Sequence, residues 1–324
     1  MISALYIGGS VPSGGGVAAA LRKRKPFGKA VTVGGSTGTW KGTPVAVVTV
    51  GKDVTLLTKG KGWTVVGGWW PSLGVARPPM KSMRVLAIGS DARTRQPVEK
   101  CRGDALQIIG VDGKGVGGIV GIPRDSWVSL TTGGTSKINA ALAYGGAKAQ
   151  AATVARAAGI PIDGYVVTGF KGFRGLVSAV GGITITVTSA LKSVDGFQIV
   201  KAGTNRLNSK TALAFARERK HLSNGDFGRS ANQSRLIKAG MVMAAKAGPA
   251  ALPKFLSKIG PHVATNLSVD EILNLCAGVY LTNPAAVRIK TATGSVGTRS
   301  GQSVVLLGGA AKSAFRDMKD GRLA

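Results

Sequence analysis

The residues of this sequence best suited to chemistry are arginines and aspartates, set close together in six short clusters. These are Gly89-Ser90-Asp91-Ala92-Arg93, Arg102-Gly103-Asp104, Ile122-Pro123-Arg124-Asp125, Lys137-Ile138-Asn139, Arg217-Glu218-Arg219, and Gly225-Asp226-Phe227-Gly228-Arg229 with Gln233 a turn further on. Guanidinium forks match phosphate oxygens bidentately. Two carboxylates can hold Mg²⁺, which keeps several waters and bridges substrate phosphates. Gathered by a fold, these clusters would suit pyrophosphate binding and phosphoryl transfer, where catalysis is mostly positioning and charge neutralisation. Taken singly, an Asp-Arg pair at a strand end reads as well as a structural ion pair. The number and order of the clusters carry the signal. Other chemistries are excluded by composition. Two cysteines (Cys101, Cys276) and two histidines (His221, His262) rule out a disulfide scaffold, a four-cysteine zinc site and a two-histidine metalloprotease motif.

The elements that must position these clusters follow from the apolar pattern. The chain has 324 residues, 44% of them apolar, enough for one large domain or two ordinary ones. Short alternating runs fill residues 28–70, at 30–33, 44–50, 54–57 and 63–66, with turns at Gly34-Gly35, Gly51-Lys52-Asp53 and Gly60-Lys61-Gly62. They predict a small antiparallel, barrel-like all-β module. A basic tail precedes it over 1–27, and a stiff Pro-rich linker follows over 71–82. From residue 83 to 324 strands and helices interleave, which predicts an α/β domain, layered α/β/α around a central sheet. Strands are expected at 85–88, 105–111, 118–122, 165–170 and 183–187. Helices are expected at 140–158, 173–180, 209–219, 226–245 and 269–279, the last opened by a Ser268/Glu271 capping box. The Gly113-x-Gly115-x-Gly117-Gly118 run lies between strands and reads as a hairpin turn, not as a nucleotide-binding fingerprint.

The blocks of this domain, in their order, resemble the LytR-CpsA-Psr family of cell-wall glycopolymer transferases. The resemblance covers residues 83–245 and is compatible with the chain to about 315. It rests on Ile88-Gly89-Ser90-Asp91-Ala92-Arg93, Arg102-Gly103-Asp104, Gly121-Ile122-Pro123-Arg124-Asp125-Ser126, Lys137-Ile138-Asn139-Ala140-Ala141, Tyr144-Gly145-Gly146 and Pro161-Ile162-Asp163-Gly164-Tyr165. It continues through Val177-Ser178-Ala179-Val180-Gly181-Gly182-Ile183, Leu207-Asn208, Ala212-Leu213-Ala214-Phe215-Ala216-Arg217-Glu218-Arg219 and Gly225-Asp226-Phe227-Gly228-Arg229. It implies a central mixed sheet, and Mg²⁺-dependent transfer of an anionic glycopolymer from a polyprenyl-pyrophosphate carrier to a peptidoglycan hydroxyl. It also implies an apolar cavity for the lipid tail. By position, Asp91 and Asp104 become the metal-linked carboxylates. Arg93, Arg124, Arg217, Arg219 and Arg229 become the pyrophosphate clamp, with Gln233 beside it. Arg124 and Asp226 count with Asp91 and Asp104 as catalytic candidates, Asp226 either orienting an arginine or accepting a proton. Two departures bear on activity. Gly103 and Ala105 flank Asp104 where the family has hydroxyl residues, and Asn232 stands where an arginine precedes the glutamine.

The net charge of +29 points to an anionic partner. A nucleic acid is not expected, because no zinc spacing, aromatic RNP-like pair or recognition-helix pattern is present. Residues 1–82 carry eleven basic residues and one acidic residue, with no signal peptide or spanning segment legible. Family members usually carry a membrane anchor there. Residues 38–47 and 63–69 are instead similar to small β-modules of tail proteins from phages infecting Actinobacteria. Two expectations follow. One is a phosphotransferase at the cell wall, extracytoplasmic or carried on a virion tail whose other proteins bind residues 1–82. The other is an inactive relative, a tail protein gripping lipid-linked polymer or cell wall without turnover.

Overall fold

Apolar residues alternate along the central strands, and each set of alternate side chains has its own partner layer. The computed structural model describes residues 34–77, 81–93 and 95–323. The expected basic tail, the strand at 30–33 and Pro78-Pro79 of the linker lie outside the described residues. In chain order the strands are β1 (Gly35–Trp40), β2 (Thr43–Val50), β3 (Asp53–Lys59), β4 (Trp63–Trp69), β5 (Met83–Ser90), β6 (Gly103–Val111), β7 (Gly117–Ile122), β8 (Trp127–Ser129) and β9 (Thr135–Lys137). They continue as β10 (Gly164–Thr168), β11 (Ile183–Val187), β12 (Leu191–Lys192), β13 (Gln198–Val200), β14 (Gly203–Leu207), β15 (Ala264–Thr265), β16 (Arg288–Thr291), β17 (Gly294–Arg299) and β18 (Gln302–Leu307). The helices are α1 (Ala140–Ala158), α2 (Phe170–Ala179), α3 (Ser209–Arg217), α4 (Gly225–Ala247), α5 (Leu252–Ile259), α6 (Val269–Leu281) and α7 (Gly309–Asp317).

The central sheet is mixed, with order β15-β10-β5-β6-β7-β16. β5 runs parallel to β10 and antiparallel to β6, and β7 runs antiparallel to β6 and parallel to β16. Leu86, Ile88, Leu106, Ile108, Val120 and Ile122 share one face with Leu142 and Val154 of α1 and Phe315 of α7. The opposite face carries α4, through Ile119 and Met241, and α6. The layered α/β/α arrangement is therefore present. A satellite core of Val177, Ile183, Ile185, Leu207, Phe215 and Leu236 fixes α2 and α3 beside the sheet.

The N-terminal strands form an open antiparallel meander, β1-β2-β3-β4, in which β1 and β4 do not pair, rather than a closed barrel. Gly35 opens β1, so the turn expected at Gly34-Gly35 is not there. The meander is not a bead on a linker. Val45, Val47, Val54, Leu56, Trp40 and Trp69 share one core with Leu252 and Leu256 of α5 and Ile272, Leu273 and Ala277 of α6. A side chain at Gly38 would run into the Pro253 carbonyl, so glycine lets β1 lie against α5. Polar contacts stitch the same seam: Thr39 N–H donates to Ser257 Oγ at 2.7 Å and Lys41 Nζ to the Val263 carbonyl at 2.8 Å.

Candidate active site

Three clusters meet where β6 begins. Gly89 pairs with Ala105 and Ser90 with Gly103, which leaves Asp104 as the extra residue of a β-bulge. A bulge re-aims a side chain out of the strict alternation of the ladder. Asp104 turns to Arg124, with which it forms an ion pair, and accepts from Asn139 Nδ2 at 3.2 Å. Arg124 follows β7. Its Nε lies 3.8 Å from Asp125, and Asp125 pairs with Lys137 at 2.9 Å. The β8–β9 hairpin folds the chain back to make this possible. Ile138 N–H donates to the Ser126 carbonyl, Asn139 N–H to that of Arg124, and Gly103 N–H to that of Asn139.

Helix α4 adds Asp226 and Arg229, one turn apart and ion-paired. Arg229 is only 7% exposed, and the charges acting on it include Arg124, Asp104 and Arg219 as well as Asp226. Burial pushes the Asp226 carboxyl above the ordinary carboxylate range. The Arg229 charge opposes that push, Asp125 adds to it and Arg124 opposes it again. Both Asp226 carboxylate oxygens, Arg229 Nη2, Arg124 Nε and Asn232 Nδ2 are buried without a well-directed hydrogen bond. Unfilled buried valences of this kind mark places where water or a ligand belongs. Asn232, the residue at the family's arginine position, is buried and accepts from Arg235 Nη1 at 2.6 Å. Gln233 is held by two neighbours. Its amide donates to the Ala216 carbonyl at 3.1 Å and accepts from Gln107 at 3.2 Å. Gln107 in turn bonds Ser230 and Ser234, so this network ties β6 to α4.

Asp91 begins the second half of the site. Its Oδ1 accepts from Arg102 N–H at 2.8 Å, which pins the loop after β5. The next residues, Ala92 and Arg93, line a cleft of about 670 Å³ with Phe170, Lys171, Arg174, Gly175 and Ser178 of α2 and Ser209, Leu213 and Arg217 of α3. Arg93, Lys171, Arg174 and Arg217 are exposed, and none has a carboxylate partner among the described residues. Arg217 lies over the Phe170 ring at 4.6 Å, a cation–π contact. The lining is mostly polar and cationic, unlike the apolar cavity expected for a lipid tail.

Two corrections to the expected elements explain this cleft. Phe170 does not end a strand; it opens α2, three residues before the expected start. Lys171 and Arg174 thereby come to one helix face, and the sequence reading missed them for that reason. The helix expected to run through 219 stops at Arg217, because Glu218 is extended (ψ 133°). The Glu218 carboxylate is buried and accepts backbone N–H bonds from Arg219, Lys220 and His221 at 2.9, 2.8 and 3.2 Å. Burial alone would raise its carboxyl. The three N–H donors outweigh burial and hold it below the ordinary range. Arg217 thus points into the cleft, while Arg219 leaves the helix on a loop towards Arg229.

Asp91 and Asp104 are the carboxylates expected to hold Mg²⁺. Among the described residues no three His, Cys, Asp or Glu side chains come close enough to form a metal cage. Both Asp104 oxygens and one Asp91 oxygen already accept hydrogen bonds. This donor set fits Mg²⁺ only in its common manner, with one or two carboxylates completed by waters and substrate phosphates.

Comparison with known proteins agrees with this fold. Residues 75–319 match the model of the LytR_cpsA_psr family. The polyisoprenyl-teichoic acid–peptidoglycan teichoic acid transferase TagV of Bacillus subtilis is 36% identical over 187 residues, 55% of this chain and 48% of TagV. TagU of Bacillus cereus, a transferase of the same description, is 34% identical over 197 residues, 59% of this chain and 62% of TagU. The chain therefore aligns with about half to three-fifths of these relatives. The crystal structure of B. subtilis TagV superposes with a TM-score of 0.63 at 30% identity, over 74% of this chain and 96% of that one.

Proposed function

The chain belongs to the LytR_cpsA_psr family, and from that premise we propose that it transfers a phosphate-linked glycopolymer from a polyprenyl-diphosphate carrier to a peptidoglycan hydroxyl. One observation carries this reading: a quartet of exposed cations, with no carboxylate partners among the described residues, adjoins a largely buried cluster of paired Asp and Arg. The quartet supplies charge for a diphosphate, and the buried cluster supplies rigid positioning. The TagV and TagU names describe the same class of transfer.

In this reading the acceptor hydroxyl oxygen attacks the phosphorus that bears the polymer. The bond from that phosphorus to the bridging oxygen breaks, and the bridging oxygen leaves with its electron pair as polyprenyl monophosphate. Arg93, Arg174 and Arg217 bind the diphosphate and stabilise the charge that builds on its oxygens. Asp226, whose proton affinity is raised by burial, takes the hydroxyl proton. Arg229 holds Asp226 in place. Asp91 and Asp104 would hold Mg²⁺, which would supply further charge neutralisation.

A second reading, grip without turnover, is favoured by Asn232 at the arginine position and by Gly103 and Ala105 beside Asp104. The deciding experiment gives purified protein a polyprenyl-diphosphate-linked glycan and a peptidoglycan acceptor, with and without Mg²⁺. Release of polyprenyl monophosphate with polymer on the acceptor is the expected result. Binding without release would leave the grip reading. No helix of the described residues is long and apolar enough to cross a membrane. The family model begins at residue 75, so a virion role rests on the resemblance of residues 38–47 and 63–69 alone.

A further inference from the structure

The β12–β13 hairpin is built into the satellite core at its base and bare at its tip. Leu191, Ile199 and Val200 are buried with Ile185, Leu207 and Phe215. The tip is an ordered turn. Ser193 N–H donates to the Phe197 carbonyl, and Gly196 N–H to that of Ser193, both at 2.9 Å. On this turn Val194 is 62% exposed and Phe197 38% exposed, two of the few large apolar side chains that the fold leaves in water. Single exposed apolar residues need no explanation, but two on one protruding turn form a patch.

The segment that carries the patch is cationic. Lys192, Lys201, Arg206 and Lys210 are exposed along residues 192–210, whose one carboxylate, Asp195, is engaged by Ser193. Lys210 Nζ lies 5.0 Å from the centre of the Phe197 ring. Lys210 also follows Ser209, which lines the cationic cleft, so the tip stands at the cleft's edge. An apolar tip flanked by exposed lysines fits the boundary of an anionic bilayer. The rings and methyls enter the acyl region, and the ammonium groups stay among the phosphates.

We infer that residues 192–210 form a membrane-docking element that seats the protein on an anionic lipid surface with the cleft facing the headgroups. The orientation of the cleft rests on the reading of it as a diphosphate-lipid site; the docking itself does not. A lipid-linked diphosphate emerges only as far as the headgroup layer, so a site that takes it must reach that layer. Asp195 sits at the tip, where the Ser193 hydroxyl and the Lys210 charge engage it.

The test is flotation of the full chain with vesicles of phosphatidylglycerol and phosphatidylcholine, and separately of phosphatidylcholine alone. The vesicles hold no diphosphate lipid, so the result is independent of whether the cleft is a transferase site. The wild type should float with the anionic vesicles and not with the neutral ones, and added salt should release it. Val194→Asp with Phe197→Asp should lower the bound fraction on the order of tenfold. Val296→Asp, at an equally exposed apolar residue on β17, should leave it unchanged. Matching circular dichroism melts would show that both variants are folded. No binding to anionic vesicles, binding unchanged in the tip variant, or equal loss in Val296→Asp would each overturn the inference.

Discussion

Two neighbourhoods of this molecule use the same residue types in opposite ways. Around the β6 bulge, Arg124 and Arg229 are half-buried or buried and each faces its own aspartate. In the cleft between α2 and α3, Arg93, Arg174 and Arg217 are exposed, with no carboxylate partner among the described residues. Buried charges must be paired to be tolerated, and once paired they hold geometry rather than attract ligands. Exposed cations held on helix faces keep their charge available to an incoming anion. On the proposed function, the arginines of the two neighbourhoods divide into those that shape the site and those that meet the substrate.

Substitutions can break this division. The largest effect should come from Arg229→Ala, which strands the Asp226 carboxylate in a buried setting. Stability should fall by about 3–5 kcal/mol, read from chemical denaturation. Arg174→Ala and Arg217→Ala should do the reverse. Each should leave stability within about 0.5 kcal/mol, while weakening binding of a prenyl diphosphate by about 1.5–3 kcal/mol in calorimetry. If Arg174→Ala destabilised the fold as Arg229→Ala does, the division would be wrong.

Smaller effects sharpen it. Glu218→Gln weakens the three N–H bonds that stop α3 and aim Arg219, at a cost of about 1 kcal/mol at neutral pH. The folded state holds the Glu218 carboxyl below its unfolded range, so its stabilisation is present above that range and lost as pH falls through the folded value. The difference between wild type and Glu218→Gln should therefore shrink on acidification. Asp226 has the opposite sign. Its raised carboxyl means that the folded state holds the proton more tightly, so its contribution declines as pH rises from the ordinary carboxylate range through the raised value. Wild type minus Asp226→Asn stability should fall over that window. A difference that rose with pH there would contradict the assigned direction.

Much of the architecture was legible because it lies in local patterns. The Ala-rich run at 140–158 has the bounds of α1, and Ser268 and Glu271 form the expected capping box at the start of α6. The Gly113–Gly118 run is the β6–β7 turn, with Asp112 Oδ1 accepting from Lys114 and Val116 N–H. The convergence of Asp104, Arg124, Asp226 and Arg229 was foreshadowed by cluster order. Features that depend on a distant partner were not legible. The bulge at Asp104 is a register shift against β5, and neither strand shows it alone. The docking of the β-meander depends on α5, whose Leu252 and Leu256 face was not recognised behind Pro253. Lys171 was hidden by a helix start placed three residues late, and with it the shared face that it forms with Arg174. The bonds of Gln233 to Gln107 and the Ala216 carbonyl join elements far apart in the chain, so no local pattern announces them.

The measurement that bears most directly on the division is calorimetric titration of a short-chain prenyl diphosphate, and of its monophosphate, into wild type and the Arg174→Ala and Arg217→Ala variants. The diphosphate should bind more tightly than the monophosphate to the wild type, and each cleft variant should lose most of that preference while melting like the wild type. Equal affinity for the two ligands, or a preference that survives both substitutions, would contradict the assignment of the cleft to the diphosphate.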